Sequence, residues 1–286
     1  MPEGDTIHKI AGFLAPRLAG QVVRGLETPA RTGKRPPESR GGERRLGRDR
    51  KILAVAARGK HLFIEFDDDT ALRSHLGMYG SWHFYGHGES WRKPAWQASL
   101  VLETDHAVYV CFNAKEVEWV RRPSVRGRVL DTRLGPDLTA GGVNLEAVVR
   151  RARDIMEPDA PLADVLLDQR VACGIGNVYK SEVLFLRRHA PLTQLATVDD
   201  TRLAACYALA SELLGRNLGG GRRVTRFEND AAGRLWVYGR GGSPCLRCDG
   251  VIVQVRLGRH HRSTYWCDRC QAAPADAGPG DVQSPD

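Results

Sequence analysis

Apolar residues near the start of the chain fall at Ile7, Ile10, Ala11, Leu14 and Leu18, the spacing of one face of a 3.6-residue helix. Asp5 or Thr6 is placed to cap that helix and Gly20 to end it. From Lys51 to about Val129 the period shortens. Apolar runs at Ile52–Ala56, His61–Phe66, Ala71–His75, Ser81–Phe84, Ser99–Glu103 and Val108–Phe112 are separated by turn residues at Arg58-Gly59, Asp67–Asp69 and Gly86–Gly88. Short, evenly spaced strands of this kind predict a β-sandwich or barrel. Past a Gly/Pro linker at Leu134–Gly142, helical spacing returns. It predicts helices over Asn144–Arg153, Ala160–Gln169, Asn177–Arg188 and Val198–Asn217, punctuated by Pro191 and Gly219–Gly221.

The expected fold is therefore α+β. Residues 1–133 form an N-terminal β-sandwich domain with a leading helix, 134–143 a linker, 144–225 a helical domain and 236–271 a small module. The 272–286 tail, rich in Ala, Pro, Gly and Asp, has the composition of disordered chain. Residues 31–51 carry nine basic side chains among Gly, Pro and Ser and read as a solvated loop. A length of 286 residues accommodates two domains. No run is long enough to span a membrane and no charged-then-apolar leader is present, so a cytoplasmic protein is expected, with a monomer as the default state. The net charge of +8 calls for a polyanionic partner, most commonly nucleic acid.

Of seven cysteines, Cys111, Cys173 and Cys206 are scattered. The other four form Cys245-x2-Cys248-x18-Cys267-x2-Cys270. Each Cys-x2-Cys sets two thiolates on one knuckle, and two knuckles complete a tetrahedral zinc site with no open position, so the metal is structural. Val251–Val255 and Ser263–Trp266 read as the strands of a hairpin turning near Gly258. Arg256, Arg259, His260, His261 and Arg262 crowd that turn, a basic tip suited to a nucleic-acid backbone.

Gly174-Ile175-Gly176-Asn177 lies between two predicted helices. Its backbone N–H groups can approach a phosphate, and Asn177 opens a helix whose N-terminus favours an anion. Arg58-Gly59-Lys60 holds Lys60 forward at a turn. Met78 and Tyr79 sit between glycines at a strand end, where an exposed apolar side chain can fill a gap in a base stack. Pro2, directly behind Met1, becomes a secondary amine if Met1 is removed, able to form an iminium with a sugar aldehyde. Glu3 is then a neighbouring proton donor, and the first helix's N-terminal partial charge keeps part of the amine neutral.

Together these residues resemble the formamidopyrimidine-DNA glycosylase and endonuclease VIII family of base-excision repair enzymes. The resemblance runs from Met1 to about Gln271, in the family's order: Pro2-Glu3, Arg58-Gly59-Lys60, Gly174–Asn177 followed by Val178-Tyr179-Lys180-Ser181-Glu182, Val237-Tyr238-Gly239-Arg240, and the four-cysteine finger. It implies a helix–two-turn–helix domain facing the β-sandwich across a cleft that holds damaged DNA. It also implies a bifunctional glycosylase and lyase in which Pro2 attacks C1′ of a flipped-out nucleotide, Glu3 moves protons, and β,δ-elimination follows. Lys60, Asn177 and Arg262 match phosphate-gripping positions. Gly174, Gly176 and Lys180 belong to the same DNA-binding segment, zinc is the only cofactor, and the setting is a bacterial nucleoid.

Glu3-Gly4, the triplet Gly77-Met78-Tyr79 and a short Gly219–Val237 segment favour the endonuclease VIII branch and oxidised pyrimidines over oxidised purines. The chain departs from the family pattern in three places. Thr6 stands where a glutamate is usual, Gly77 where a long polar side chain is usual, and the x18 spacer is slightly long. Two rival readings are a catalytically silent DNA-binding relative and an RNA- or ribosome-binding clamp, neither of which requires Pro-Glu at the start. A zinc hydrolase fails on ligand count.

Overall fold

The computed structural model describes residues 1–28, 49–121, 134–259 and 261–272. Most of the basic 31–51 stretch, His260 and the tail beyond residue 272 lie outside them. Helix α1 spans Gly4–Leu18 and buries Ile7, Ala11, Leu14 and Leu18, the stripe expected from its spacing. Its N-cap is Glu3, not Asp5 or Thr6. Thr6 Oγ1 accepts from the Glu3 N–H at 3.4 Å, which leaves the Asp5 carboxylate free to face another element.

The strands are β1 (Gly25–Glu27), β2 (Ile52–Arg58), β3 (His61–Phe66), β4 (Thr70–His75), β5 (Ser81–Tyr85), β6 (Ala98–Glu103), β7 (Val108–Phe112) and β8 (Glu116–Arg121). Among the described residues they pair into two antiparallel four-stranded sheets, β1-β6-β7-β5 and β2-β3-β4-β8. This is the expected β-sandwich. β3 shows how it is built: Leu62, Ile64 and Phe66 point inward while His61, Phe63 and Glu65 alternate outward. The inward rows of both sheets and the apolar face of α1 close over one core that includes Leu14, Ile52, Ile64, Leu72, Leu100 and Leu102. Two strands, β1 and β8, are not marked by the apolar runs of the sequence. β1 is only three residues long, and β8 turns Val117 and Trp119 toward the core in alternation with Glu116 and Glu118, leaving little apolar run to detect.

The second half is helical: α2 (Leu145–Ile155), α3 (Leu162–Leu167), α4 (Asn177–Leu186) and α5 (Asp200–Arg216). Asn144 caps α2 by accepting from Ala147 N at 2.9 Å, and Asp199 caps α5 by accepting from Arg202 N at 2.8 Å. α3 is shorter than expected, because the Asp168 side chain turns onto the N–H of Arg170 at 2.9 Å and stops the helix. Helix α4 is buried on every side from Asn177 to Phe185. Tyr179, Val183 and Leu184 join the helical core around it. Phe185 joins a third cluster with Val237, Cys245, Ile252 and Cys267 of the C-terminal module. There β9 (Ile252–Leu257) and β10 (Arg262–Cys267) form an antiparallel hairpin. α4 is thus the beam to which the other parts are fastened.

Candidate active site

The N-terminus docks onto the turn before α4. Gly4 N–H donates to Gly174 O at 2.9 Å, bringing the two backbones together. A Cβ on Gly4 would lie 2.8 Å from Gly174 Cα, so this approach needs glycine. The adjacent Glu3 carboxylate, fully buried, accepts from the backbone N–H of Gly176 at 2.8 Å, Val178 at 2.7 Å and Tyr179 at 3.3 Å. An isolated buried carboxylate is costly, and these donors with the positive end of α4 offset that cost.

The Gly174–Asn177 turn, where a phosphate cradle is expected, thus receives an anion from the chain itself. The N-terminal N–H groups of α4 do bind an anion, but the anion is Glu3. The Gly174 N–H lies 3.2 Å from the Gln169 side-chain oxygen, to which it donates. Both glycines are buried, and their N–H groups are already used. The Gly176 N–H helps to position Glu3.

Arg223, not anticipated from the sequence, closes the other side. Its Nε and Nη2 donate to Asp5 Oδ2 and Oδ1 at 3.0 and 2.5 Å, and Nη2 also to Thr6 Oγ1 at 3.1 Å. Nη1 lies 3.7 Å from Glu3 Oε1 and donates to the carbonyl of Met1 at 3.4 Å. The guanidinium stands over the Tyr179 ring at 4.9 Å. Burial works against its charge, but Glu3 and Asp5 outweigh burial and raise its pKa above the ordinary arginine value. A carboxylate is therefore present beside Thr6, supplied by Asp5.

Lys60 occupies the β2–β3 turn, which is tied to the linker by the Gly59 N–H donating to Asp137 Oδ2 at 2.7 Å. His8 Nε2 meets the same oxygen at 3.0 Å, so Asp137 clamps α1, the turn and the linker together. Burial lowers the Lys60 ammonium to about 8; nearby Glu3 opposes the shift, and Arg262 and Arg223 add to it.

The polar residues of α4 fasten the hairpin. Asn177 Nδ2 donates to Ser263 O at 2.5 Å, and Tyr265 N to Ser181 Oγ at 3.4 Å. Lys180 was expected among the DNA contacts. It is 1% exposed, with Nζ donating to Asn177 Oδ1 and Thr264 Oγ1, both at 2.7 Å. Those bonds commit its ammonium to the helix–hairpin joint. Glu182 accepts from the N–H groups of Trp236, Val237 and Tyr238 at 2.8, 2.9 and 2.8 Å and from the Thr225 hydroxyl. At the tip, Arg259 N–H donates to Asp164 Oδ2 at 2.9 Å. Arg262 is presented toward the β-sandwich, with Nη1 3.6 Å from Met78 Sδ. Met78 and Tyr79, following Gly77 with its φ of +65°, are 50% and 77% exposed.

Cys245, Cys248, Cys267 and Cys270 bring their Sγ atoms within 4.8 Å of one another. The Cys245–Cys270, Cys248–Cys267 and Cys248–Cys270 separations are 3.8, 3.5 and 3.4 Å. Tetrahedral Zn–S bonds of about 2.3 Å require roughly 3.8 Å between sulfurs, so the four residues fit zinc. The ion would hold the base of the hairpin that carries Arg262. No described helix is long and apolar enough to cross a membrane.

Comparison with known proteins agrees with this geometry. Residues 1–120 match the formamidopyrimidine-DNA glycosylase N-terminal domain, 134–228 the formamidopyrimidine-DNA glycosylase H2TH domain, and 242–273 a zinc finger found in FPG and IleRS. The probable endonuclease 8 2 of Streptomyces coelicolor is 37% identical over 281 residues, covering 96% of this chain and 95% of that protein. The DNA-(apurinic or apyrimidinic site) lyase Nei2 of Mycolicibacterium smegmatis is 34% identical over 273 residues, covering 96% and 100%. The crystal structure of Lactococcus lactis formamidopyrimidine-DNA glycosylase with DNA containing an abasic site superposes with a TM-score of 0.77. It covers 95% of this chain and all of that one at 22% identity, a likeness of fold.

Proposed function

The chain belongs to the formamidopyrimidine-DNA glycosylase family and is a DNA glycosylase with abasic-site lyase activity; we propose that it excises oxidised pyrimidines through a Schiff base on Pro2. Removal of Met1 frees the secondary amine. Its lone pair forms the N–C1′ bond while the damaged base departs with the electrons of the glycosidic bond and a proton passed on by Glu3. The Pro2 nitrogen then loses its proton, and its lone pair forms the C=N bond as the C1′–O4′ bond breaks and O4′ takes a proton; loss of a C2′ proton expels the 3′-phosphate by β-elimination, and the 5′-phosphate leaves by δ-elimination.

Lys60, Asn177 and Arg262 hold phosphates around the flipped nucleotide, and Met78 and Tyr79 fill the vacated stack. Zinc supplies no bond chemistry; it stiffens the hairpin. The observation that carries this reading is the seat of Glu3. A carboxylate immediately after Pro2 is fully buried, held by three backbone N–H groups and faced by Arg223. The preference for pyrimidines rests on Glu3-Gly4, Met78-Tyr79 and the short 219–237 segment. It is also supported by likeness to relatives named endonuclease 8.

Borohydride trapping on oligonucleotides carrying an abasic site, thymine glycol, dihydrouracil or 8-oxoguanine tests this. A covalent adduct that disappears when Met1 is retained, with the two pyrimidine lesions ranked above 8-oxoguanine, is the expected result. A higher rank for 8-oxoguanine would transfer the substrate to the oxidised purines. No adduct on abasic DNA after confirmed Met1 removal would make the protein a silent DNA-binding relative.

A further inference from the structure

On the Pro2 reading, the Met1–Pro2 peptide bond lies where the bond to the substrate would form. The Pro2 nitrogen is bonded to the Met1 carbonyl carbon, the position that C1′ of the sugar takes when the amine attacks it. The carbonyl oxygen of Met1 therefore stands in for the oxygen carried on C1′, the aldehyde oxygen of an opened abasic site. Arg223 Nη1 donates to that oxygen at 3.4 Å and lies 3.7 Å from Glu3 Oε1.

The other donors of the same guanidinium are held by Asp5 and Thr6, and its plane is backed by Tyr179. These contacts lock the group so that Nη1 is aimed between the proton donor and the nucleophile. Resting on the Pro2 reading above, we infer that Arg223 is a catalytic residue whose Nη1–H binds the oxygen on C1′ as Pro2 attacks.

The nitrogen lone pair of Pro2 forms the N–C1′ bond, and the C1′=O π pair moves onto oxygen, where Arg223 stabilises the developing negative charge. The oxygen takes the Pro2 N–H proton and a second proton from solvent and leaves as water. The nitrogen lone pair then becomes the C=N π bond of the iminium. Arg223 keeps its own proton throughout. The fixed cation beside Pro2 also disfavours the ammonium form of the amine, so more of it is nucleophilic.

Wild-type protein, R223Q, R223K and D5N, each with Met1 removed, are compared by single-turnover borohydride trapping on abasic DNA from about pH 5.5 to 9. Binding to DNA with a tetrahydrofuran site, which has no aldehyde oxygen, is measured in parallel. R223Q is expected to trap about 100- to 1,000-fold more slowly, the usual cost of losing one oxyanion donor. Its tetrahydrofuran binding should stay within about threefold of wild type, and its acid limb should move to higher pH as the amine loses its neighbouring cation.

D5N removes the buried partner but leaves Nη1 in reach of the oxygen, and should lose less than R223Q. Equal losses in D5N and R223Q with an unshifted acid limb would reduce Arg223 to a packing partner of Asp5 and overturn the inference. Should R223Q not fold, R223K decides. One ammonium cannot serve both Asp5 and the C1′ oxygen, so at least about tenfold slower trapping is expected, and a wild-type rate would overturn it. Failure of the wild type itself to trap would remove the Pro2 reading and this inference together; trapping by wild type with an unimpaired R223Q removes this inference alone.

Discussion

Glu3 and Gly176, 173 positions apart, share one site: the Gly176 N–H donates to Glu3 Oε2 at 2.8 Å, and a Cβ on Gly176 would lie 2.4 Å from Glu3 Cδ. The helix N-terminus can hold the Glu3 carboxylate only because Gly176 has no side chain. G176A should therefore displace Glu3. Overpacking alone costs about 1–3 kcal/mol of stability, whereas loss of a positioned general acid costs about 100- to 10,000-fold in rate. Single-turnover base release read beside the melting temperature separates the two. A melting shift with undiminished release would mean that Glu3 functions away from this seat.

E3Q makes a different cut. The amide keeps one acceptor for the Gly176 and Val178 N–H groups but cannot donate a carboxyl proton, and its NH2 opposes one of those donors. Base release should vanish while trapping on ready-made abasic DNA persists, because no base then needs a proton to leave. Quantitative release of thymine glycol by E3Q would contradict the role given to Glu3.

Lys60 gives the site a pH dependence whose sign is set by burial. Its ammonium, near 10.4 in an unfolded chain, is lowered to about 8. The folded state thus disfavours the charged form. This site's contribution to stability is least favourable below pH 8 and improves as pH rises from about 8 to 10.4. DNA binding runs the other way. A phosphate favours the ammonium, so above pH 8 binding must take up a proton and affinity falls with rising pH. Anisotropy titrations with tetrahydrofuran DNA across this range should show that fall in wild type and a shallower one in K60R. The arginine also separates Lys60 from Lys180, whose ammonium burial lowers to about 8 as well.

Features set by close neighbours along the chain are legible in the sequence itself. The alternation in His61–Phe66, the helical stripe of Ile7 to Leu18 and the two Cys-x2-Cys knuckles each depend on residues a few positions apart. Long-range pairing is not legible in this way. Arg223 lies 218 residues from Asp5, in a Gly-Arg-Arg stretch with no periodicity to mark it. The seat of Glu3 at Gly174–Asn177 is illegible for a related reason. A helix N-terminus accepts any anion, and the one that arrives is supplied by the far end of the same chain. The burial of Lys180 is likewise hidden, because charged residues are seldom fully buried unpaired; its partners, Asn177 and Thr264, come together only once the hairpin has folded back on α4.

Glu182 offers a test of the joint that holds the finger. Its carboxylate accepts three backbone N–H groups from Trp236, Val237 and Tyr238 and the hydroxyl of Thr225. Glutamine has one acceptor oxygen and would aim an NH2 at part of that set, leaving at least one buried donor unmet, at about 1–3 kcal/mol. E182Q should lower the melting temperature and weaken DNA binding while leaving Glu3 chemistry intact on whatever DNA is bound. A variant that melts like wild type would show that water or a neighbouring group takes over those donors.

Arg262 and the zinc site should prove to be one functional unit. A protein gripping about four to six phosphates has a log-log salt slope of roughly −4 to −5, and loss of one phosphate contact in R262A should lower its magnitude by about 1. On the proposed reading, zinc bound by Cys245, Cys248, Cys267 and Cys270 would act by stiffening the hairpin that presents Arg262. Chelation should therefore weaken binding and flatten the slope in wild type, yet add little to R262A. In a double-mutant cycle with metal removal as the second perturbation, that is a coupling nearly as large as the single effects. Additive losses would mean that the finger holds DNA through groups besides Arg262, and Arg259 at the Asp164-pinned tip would be the first to replace.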